Sequence, residues 1–162
     1  MPTFAGINHI ALTVTDLDVS QRFYAEVLDF LPVLDVGYGR VLMHKGTGFT
    51  IVVIRHPDAG TDRFSELAPG LDHLGLTVAS RGELVAWAER LEALGVPFTP
   101  IQDMPLGHHL NFRDPDGIAL ELQAPSEPYA AALAQLRVRD VPDAEVLEIA
   151  AQMVGPEYVA RP

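Results

Sequence analysis

Residues 6–14 read GINHIALTV, and residues 70–78 read GLDHLGLTV, with a histidine at the fourth place of each. In both stretches apolar and polar or small residues alternate with period two, the signature of a strand with one buried face. Ile10, Leu12 and Val14 fall on one face of the first stretch, and His9, Ala11 and Thr13 on the other. The second stretch sets Leu74, Leu76 and Val78 against His73, Gly75 and Thr77. Each strand is followed by helical spacing. DLDVSQRFYAEVLDF repeats at Val19, Phe23 and Val27, and SRGELVAWAERLEALGV places Leu84, Trp87, Ala88 and Leu91 on one side, with Gly95 as its stop before Pro97. Short β-rich runs then follow in each half: GRVLMHKG and GFTIVVIR in the first, HHLNFRD and GIALELQAP in the second. The last two are joined by DPDG, whose proline and glycine suit a tight reversal.

Superposing His9 on His73 brings Phe23 onto Trp87, and superposing Gly48 on Gly117 brings FTIVV onto IALEL. The chain is therefore a duplicated βαβββ-like unit of α+β class. The expected modules are residues 4–56 and 71–125, joined by a linker at 57–70 that carries Pro, Gly, Asp and Ser. Residues 126–162 have no counterpart in the first half and predict a helical extension. Pro128 sits early in its first helix. Asp143 is the expected N-cap of its second, Val146, Ile149, Ala150 and Met153 form the apolar stripe, and Gly155-Pro156 is the stop. That stripe is expected to pack on the core or on a second subunit.

The strand faces give the chemistry its place. Along GIALELQAP, Leu120 and Leu122 share the apolar face, leaving Ala119, Glu121 and Gln123 opposite. His9, His73 and Glu121 thus all fall on the side away from the helices. That side is either an ordinary wet face or the lining of a cup. Ala11, Gly75 and Ala119 favour the cup, because small residues there leave a hollow. A carboxylate in a partly closed cup needs a cation or hydrogen bonds, and two neutral imidazoles with one carboxylate suit a divalent metal with open coordination positions.

Composition narrows the partners. Twenty-two acidic side chains against 11 basic ones leave a formal charge of −11, which repels nucleic acid and anionic membranes. The expected partner is a small molecule or another protein. The absence of cysteine means that any metal is held by nitrogen and oxygen. No secretory pattern opens MPTFAGINHI and no apolar run approaches a membrane span, so a cytoplasmic protein is expected.

INHIALTVTDLDVSQRFYAEVLDF, LDHLGLTV and NFRDPDGIALEL together resemble the vicinal oxygen chelate superfamily, which includes glyoxalases, fosfomycin-resistance proteins and extradiol dioxygenases. The resemblance covers roughly residues 4–125. It implies paired βαβββ modules forming an open cup around a metal, and substrates that chelate the metal through vicinal oxygens. The family's metal ligands fall on His9, His73 and Glu121, with Fe(II), Mn(II) or Zn(II) as the implied ion. A homodimer is the expected assembly, with the modules paired within one chain or exchanged between subunits.

Departures from the family patterns sort the reactions. Glyoxalase I and methylmalonyl-CoA epimerase take a fourth ligand where this chain has Val52, with Val53 the near alternative, and neither valine binds a metal. The fosfomycin transferases' threonine falls on Ala11, and their serine and tyrosine fall near His109 and Asn111. Extradiol dioxygenases also use two histidines and a glutamate. Their signature histidine is weakly matched by His108 and His109, whereas their tyrosine position holds Asn111. The implied reading is a metal-dependent, extradiol-dioxygenase-like enzyme, with His109 and Asn111 as candidate catalytic residues and His109 as proton carrier. The other account of His109, of equal standing, is a polar, hydrogen-bonded side chain at the cup rim. The alternative function is a binding or resistance protein that sequesters an antibiotic or natural product without catalysis, as bleomycin-binding relatives do without metal ligands.

The remaining candidates take bland roles. His108 points away from the cup, His44 and His56 lie at the surface or rim, and the DPDG acids form a turn. Phe23 and Trp87 pack in the core, and Asp16 caps the first helix.

Overall fold

The computed structural model describes residues 6–159, and in them each half folds as one strand, one helix and three further strands. In the first, β1 (His9–Thr13) leads into α1 (Leu17–Leu28), then β2 (Leu31–Asp35), β3 (Gly39–Met43) and β4 (Thr50–Ile54). In the second, β5 (Leu74–Thr77) leads into α2 (Arg81–Ala93), then β6 (Gln102–Met104), β7 (Gly107–Arg113) and β8 (Ala119–Pro125). The two four-stranded sheets have the same order, β1-β4-β3-β2 and β5-β8-β7-β6. Both are mixed, since the first strand runs parallel to the last of its own module. By contact, one compact unit runs up to His73 and includes Arg113–Ala119, while the other holds Leu74–Phe112 and the chain from Leu120 onward.

The alternation read from the sequence is realised in β1 and β8. Leu12, Leu120 and Leu122 are buried, whereas His9, Ala11 and Thr13 are exposed. Neither β2 nor β6 stood out in the pattern. β2 lies at a sheet edge with all five residues exposed, a proline at its second position and a register shift between Pro32 and Leu34. β6 is only three polar or exposed residues long.

Helix α1 begins where expected. Asp16 is its N-cap and accepts from the N–H groups of Asp18 at 2.8 Å and Val19 at 3.0 Å. Its buried face, however, is Ser20, Tyr24, Val27 and Leu28, so the stripe is turned from the expected Val19–Phe23–Val27 line, and Val19 is exposed. The cause is polar. Tyr24 is fully buried, and its hydroxyl donates to Asp114 Oδ2 at 3.0 Å, so the phenol enters the core without losing its hydrogen bond. Phe23 stays half-buried and meets the Tyr24 ring edge-on at 5.4 Å. In α2 the expected face holds. Leu84 and Leu91 are buried, and Trp87 is half-buried with the Arg90 guanidinium 5.9 Å from its ring centre.

The DPDG acids do more than turn the chain. Asp114 Oδ1 accepts from the N–H groups of Asp116 at 3.0 Å and Ile118 at 2.8 Å, closing the reversal. Asp116 reaches back to the end of β1 and accepts from the Thr15 N–H and hydroxyl. Burial pushes the Asp114 carboxyl above the usual carboxylate range, and burial likewise raises the Tyr24 phenol.

The C-terminal extension is helical as expected: α3 (Glu127–Val138) and α4 (Asp143–Val154). Pro142 rather than Asp143 is the N-cap of α4, and Asp143 is its first helical residue. The Val146, Ile149, Ala150 and Met153 stripe faces Tyr129, Leu133 and Leu136 of α3 across a cavity of about 170 Å³.

Candidate functional site

His9 opens β1, whereas His73 lies one residue before β5 and not within it as expected. Both side chains are held the same way. His9 Nδ1 lies 2.8 Å from Asn8 Oδ1, and His73 Nδ1 lies 2.6 Å from Asp72 Oδ1. A neutral imidazole that donates from Nδ1 carries its lone pair on Nε2. Neither Asn8 nor Asp72 was singled out from the sequence. A readable signal existed in the side-chain acceptor that immediately precedes the histidine in both repeats.

Glu121 lies in β8, paired in register with Gly75 of β5. Its carboxylate Oε1 sits 3.7 Å from where a Cβ on Gly75 would be, an ordinary van der Waals distance, so it lies directly over the Gly75 backbone. His109 of β7 meets the same carboxylate, with Nδ1 at 2.9 Å from Oε2. The two side chains are only 18% and 15% exposed, which makes this a largely desolvated imidazole–carboxylate pair. His109 Nδ1–H donating to Glu121 leaves the ring's lone pair on Nε2, the orientation a carboxylate imposes on a histidine that acts as a base.

The register also fixes what occupies the matching place in the first module. There β1 pairs with β4 as β5 pairs with β8, and Ala11 faces Val52 where Gly75 faces Glu121. Val52 is flanked on its other side by Val41. The duplicated sheet is apolar at the position where the second sheet carries its acid.

The other polar residues of β7 are held by their neighbours. Asn111 is half-buried, its backbone N–H donating to Thr99 Oγ1 at 3.0 Å and its carbonyl accepting from the Thr99 N–H at 2.8 Å. Arg113 pairs with Glu66 at 2.6 Å and donates to the Gly117 carbonyl at 2.8 Å, and its guanidinium holds the Glu66 carboxyl below its ordinary range. His108 turns to Asp103, its register partner on β6, at 2.6 Å, and Arg81 completes that cluster at 3.1 Å. Arg81 and then His108 hold Asp103 below the usual carboxylate range. His44 bonds Thr47 and stacks obliquely on Phe30, and His56 is exposed.

Among the described residues, no group of three or more His, Asp or Glu side chains is gathered in a metal-holding arrangement. The donor chemistry nonetheless fits a divalent ion. His9 and His73 have Nδ1 tied back to a side-chain oxygen, the usual state of a ligating histidine, and Glu121 is oriented by a hydrogen bond.

The model of the Glyoxalase/Bleomycin resistance protein/Dioxygenase superfamily matches residues 6–122. The chain belongs to this superfamily. Among curated relatives, the uncharacterized protein YwkD of Bacillus subtilis (strain 168) is 30% identical over 124 residues, 72% of this chain and 94% of that protein. A glyoxylase/bleomycin resistance protein/dioxygenase domain from Frankia sp. EAN1pec is 41% identical, with a TM-score of 0.70 over 76% of this chain and all of that one (100%). A fosfomycin resistance protein, FosX, from Listeria monocytogenes, solved with Mn(II) and a dihydroxypropylphosphonic acid, shares the fold at a TM-score of 0.64 over 82% of this chain and 100% of that chain. At 21% identity that likeness concerns fold alone. Superfamily membership accounts for the duplicated βαβββ modules, while reaction and substrate depend on the side chains above. Among the described residues no helix is long and apolar enough to cross a membrane.

Proposed function

We propose that the protein is a metal-dependent enzyme acting on a small substrate that chelates the metal through vicinal oxygens, in a reaction of the extradiol ring-cleavage type. His9, His73 and Glu121 would hold Fe(II), Mn(II) or Zn(II). When bound, the metal would supply Lewis-acid polarisation of a substrate oxygen. Two imidazoles and one carboxylate, with Val52 unable to add a fourth ligand, leave coordination positions for a catechol and for dioxygen.

The observation that carries this reading is the Glu121–His109 pair. The second sheet holds a desolvated imidazole against Glu121, whose counterpart in the duplicated sheet is Val52. Glu121 fixes the His109 ring and would stabilise the imidazolium that forms when Nε2 takes a hydroxyl proton from the substrate. A carboxylate has enough lone pairs to accept that hydrogen bond and also ligate. Asn111, on the same face of β7, would orient the substrate through its amide.

The test is oxygen uptake and ring-opened product formation from catechols by the Fe(II)-loaded protein. In that assay, at Fe(II) concentrations that saturate the variant, His109→Ala is expected to lower kcat by roughly 10²–10⁴-fold. Wild-type rates from this variant would remove His109 from the mechanism.

One observation favours a second reading, a ligand-sequestering protein. Glu121 already has a hydrogen-bond donor in His109, so the carboxylate is satisfied without a cation. That reading expects ligand binding to persist when the metal ligands are removed.

A further inference from the structure

We infer that Asn8 and Asp72 are positioning residues which hold His9 and His73 in the less common Nδ1–H tautomer and so present Nε2 to the metal; the inference rests on the metal-dependent reading above. The same contact is built twice. Asn8 Oδ1 is 2.8 Å from His9 Nδ1, and Asp72 Oδ1 is 2.6 Å from His73 Nδ1. Each acceptor is the residue immediately before its histidine, at equivalent places in the two repeats.

A solvated neutral imidazole prefers its proton on Nε2, which would block the distal nitrogen as a ligand. An acceptor placed at Nδ1 reverses that preference and fixes the ring's rotation, as outer-shell partners of ligating histidines do. The two partners differ in charge. Asn8 offers a neutral amide oxygen and Asp72 a carboxylate, so His73 is polarised more strongly and is the better donor of the two. Both acceptors are exposed, so their removal does not threaten the core.

The experiment reads tautomers and affinity separately. Long-range proton–nitrogen NMR on the metal-free protein, at a pH where the imidazoles are neutral, is expected to show His9 and His73 protonated at Nδ1. Asn8→Ala and Asp72→Ala should each return their own histidine to the Nε2–H form and lower Zn(II) affinity by about 10–100-fold in chelator competition. Asp72→Asn, which keeps an acceptor oxygen, should preserve the tautomer and most of the affinity. Nε2–H signals in the wild type, or unchanged Zn(II) affinity in both alanine variants while His9→Ala and His73→Ala lose the ion, would overturn the inference and leave the metal reading standing. Absence of Zn(II) binding by the wild type would overturn both.

Discussion

Glu121→Ala is expected to lose both the metal and turnover while remaining folded. An outer-shell partner of a ligand is worth about 10–100-fold in metal affinity, and a ligand should be worth more than that. The same substitution leaves His109 Nδ1 without its acceptor at 2.9 Å, in surroundings where the imidazole is only 18% exposed. That orphaned donor costs about 1–3 kcal/mol of stability. Glu121→Gln separates the two roles, because an amide oxygen still accepts from His109 but ligates far more weakly than a carboxylate. The glutamine variant should therefore melt near the wild-type temperature, retain little metal and turn over slowly. A sequestering protein behaves otherwise, with both variants keeping ligand affinity and neither changing a metal content that was nil from the start. Metal titration beside thermal melting of the two variants distinguishes these outcomes.

The largest stability effect is expected at Asp114. This carboxyl is 3% exposed and receives three hydrogen bonds, from Tyr24 Oη and from the N–H groups of Asp116 and Ile118. Asp114→Ala orphans all three donors, at a cost of about 3 kcal/mol or more. For a chain of this size that lowers Tm by roughly 6–12 °C. Tyr24→Phe removes one of the three and should cost about 1–3 kcal/mol.

The pH dependence of Asp114 runs opposite to that of a salt-bridged acid. Burial raises its folded pKa above the ordinary 3.8, with the backbone and Tyr24 hydrogen bonds acting against that rise. Between the unfolded and folded values the native state holds more protons than the unfolded one. The contribution of this group is then fully present below the unfolded value and is lost as pH rises through the folded one. Asp114→Asn does not titrate. The difference in Tm between wild type and Asp114→Asn should therefore move in the wild type's favour as pH falls from about 7 to about 4. A difference that stays flat over that range would show that Asp114 titrates no differently in the folded and unfolded chains.

Much of the fold was legible because alternation and helical spacing record burial directly. Leu12, Leu120, Leu122, Leu84 and Leu91 are buried as their spacing implies. The α1 face was misplaced because hydropathy ranks Val19 and Phe23 above Ser20 and Tyr24. A tyrosine enters the core when its hydroxyl has a partner, and that partner, Asp114, lies 90 residues away. Edge strand β2 escaped notice because an edge with no buried face imposes no alternation. At the candidate site, His109 and Glu121 were each singled out, but their pairing depends on strand adjacency that no local pattern encodes. Asn8 and Asp72 were passed over because an acceptor beside a histidine is common in any sequence. Its meaning emerges only when both repeats use it on the same nitrogen.

The most direct test is elemental analysis of protein purified without chelator, beside His9→Ala and His73→Ala prepared identically. Near-stoichiometric Fe, Mn or Zn in the wild type, lost from both variants, is the expected result, and iron would make catechols the first substrates. No bound metal in any of the three proteins, after loading with Fe(II), Mn(II) and Zn(II) in turn, would contradict the metal-dependent reading and leave a ligand-binding protein in its place.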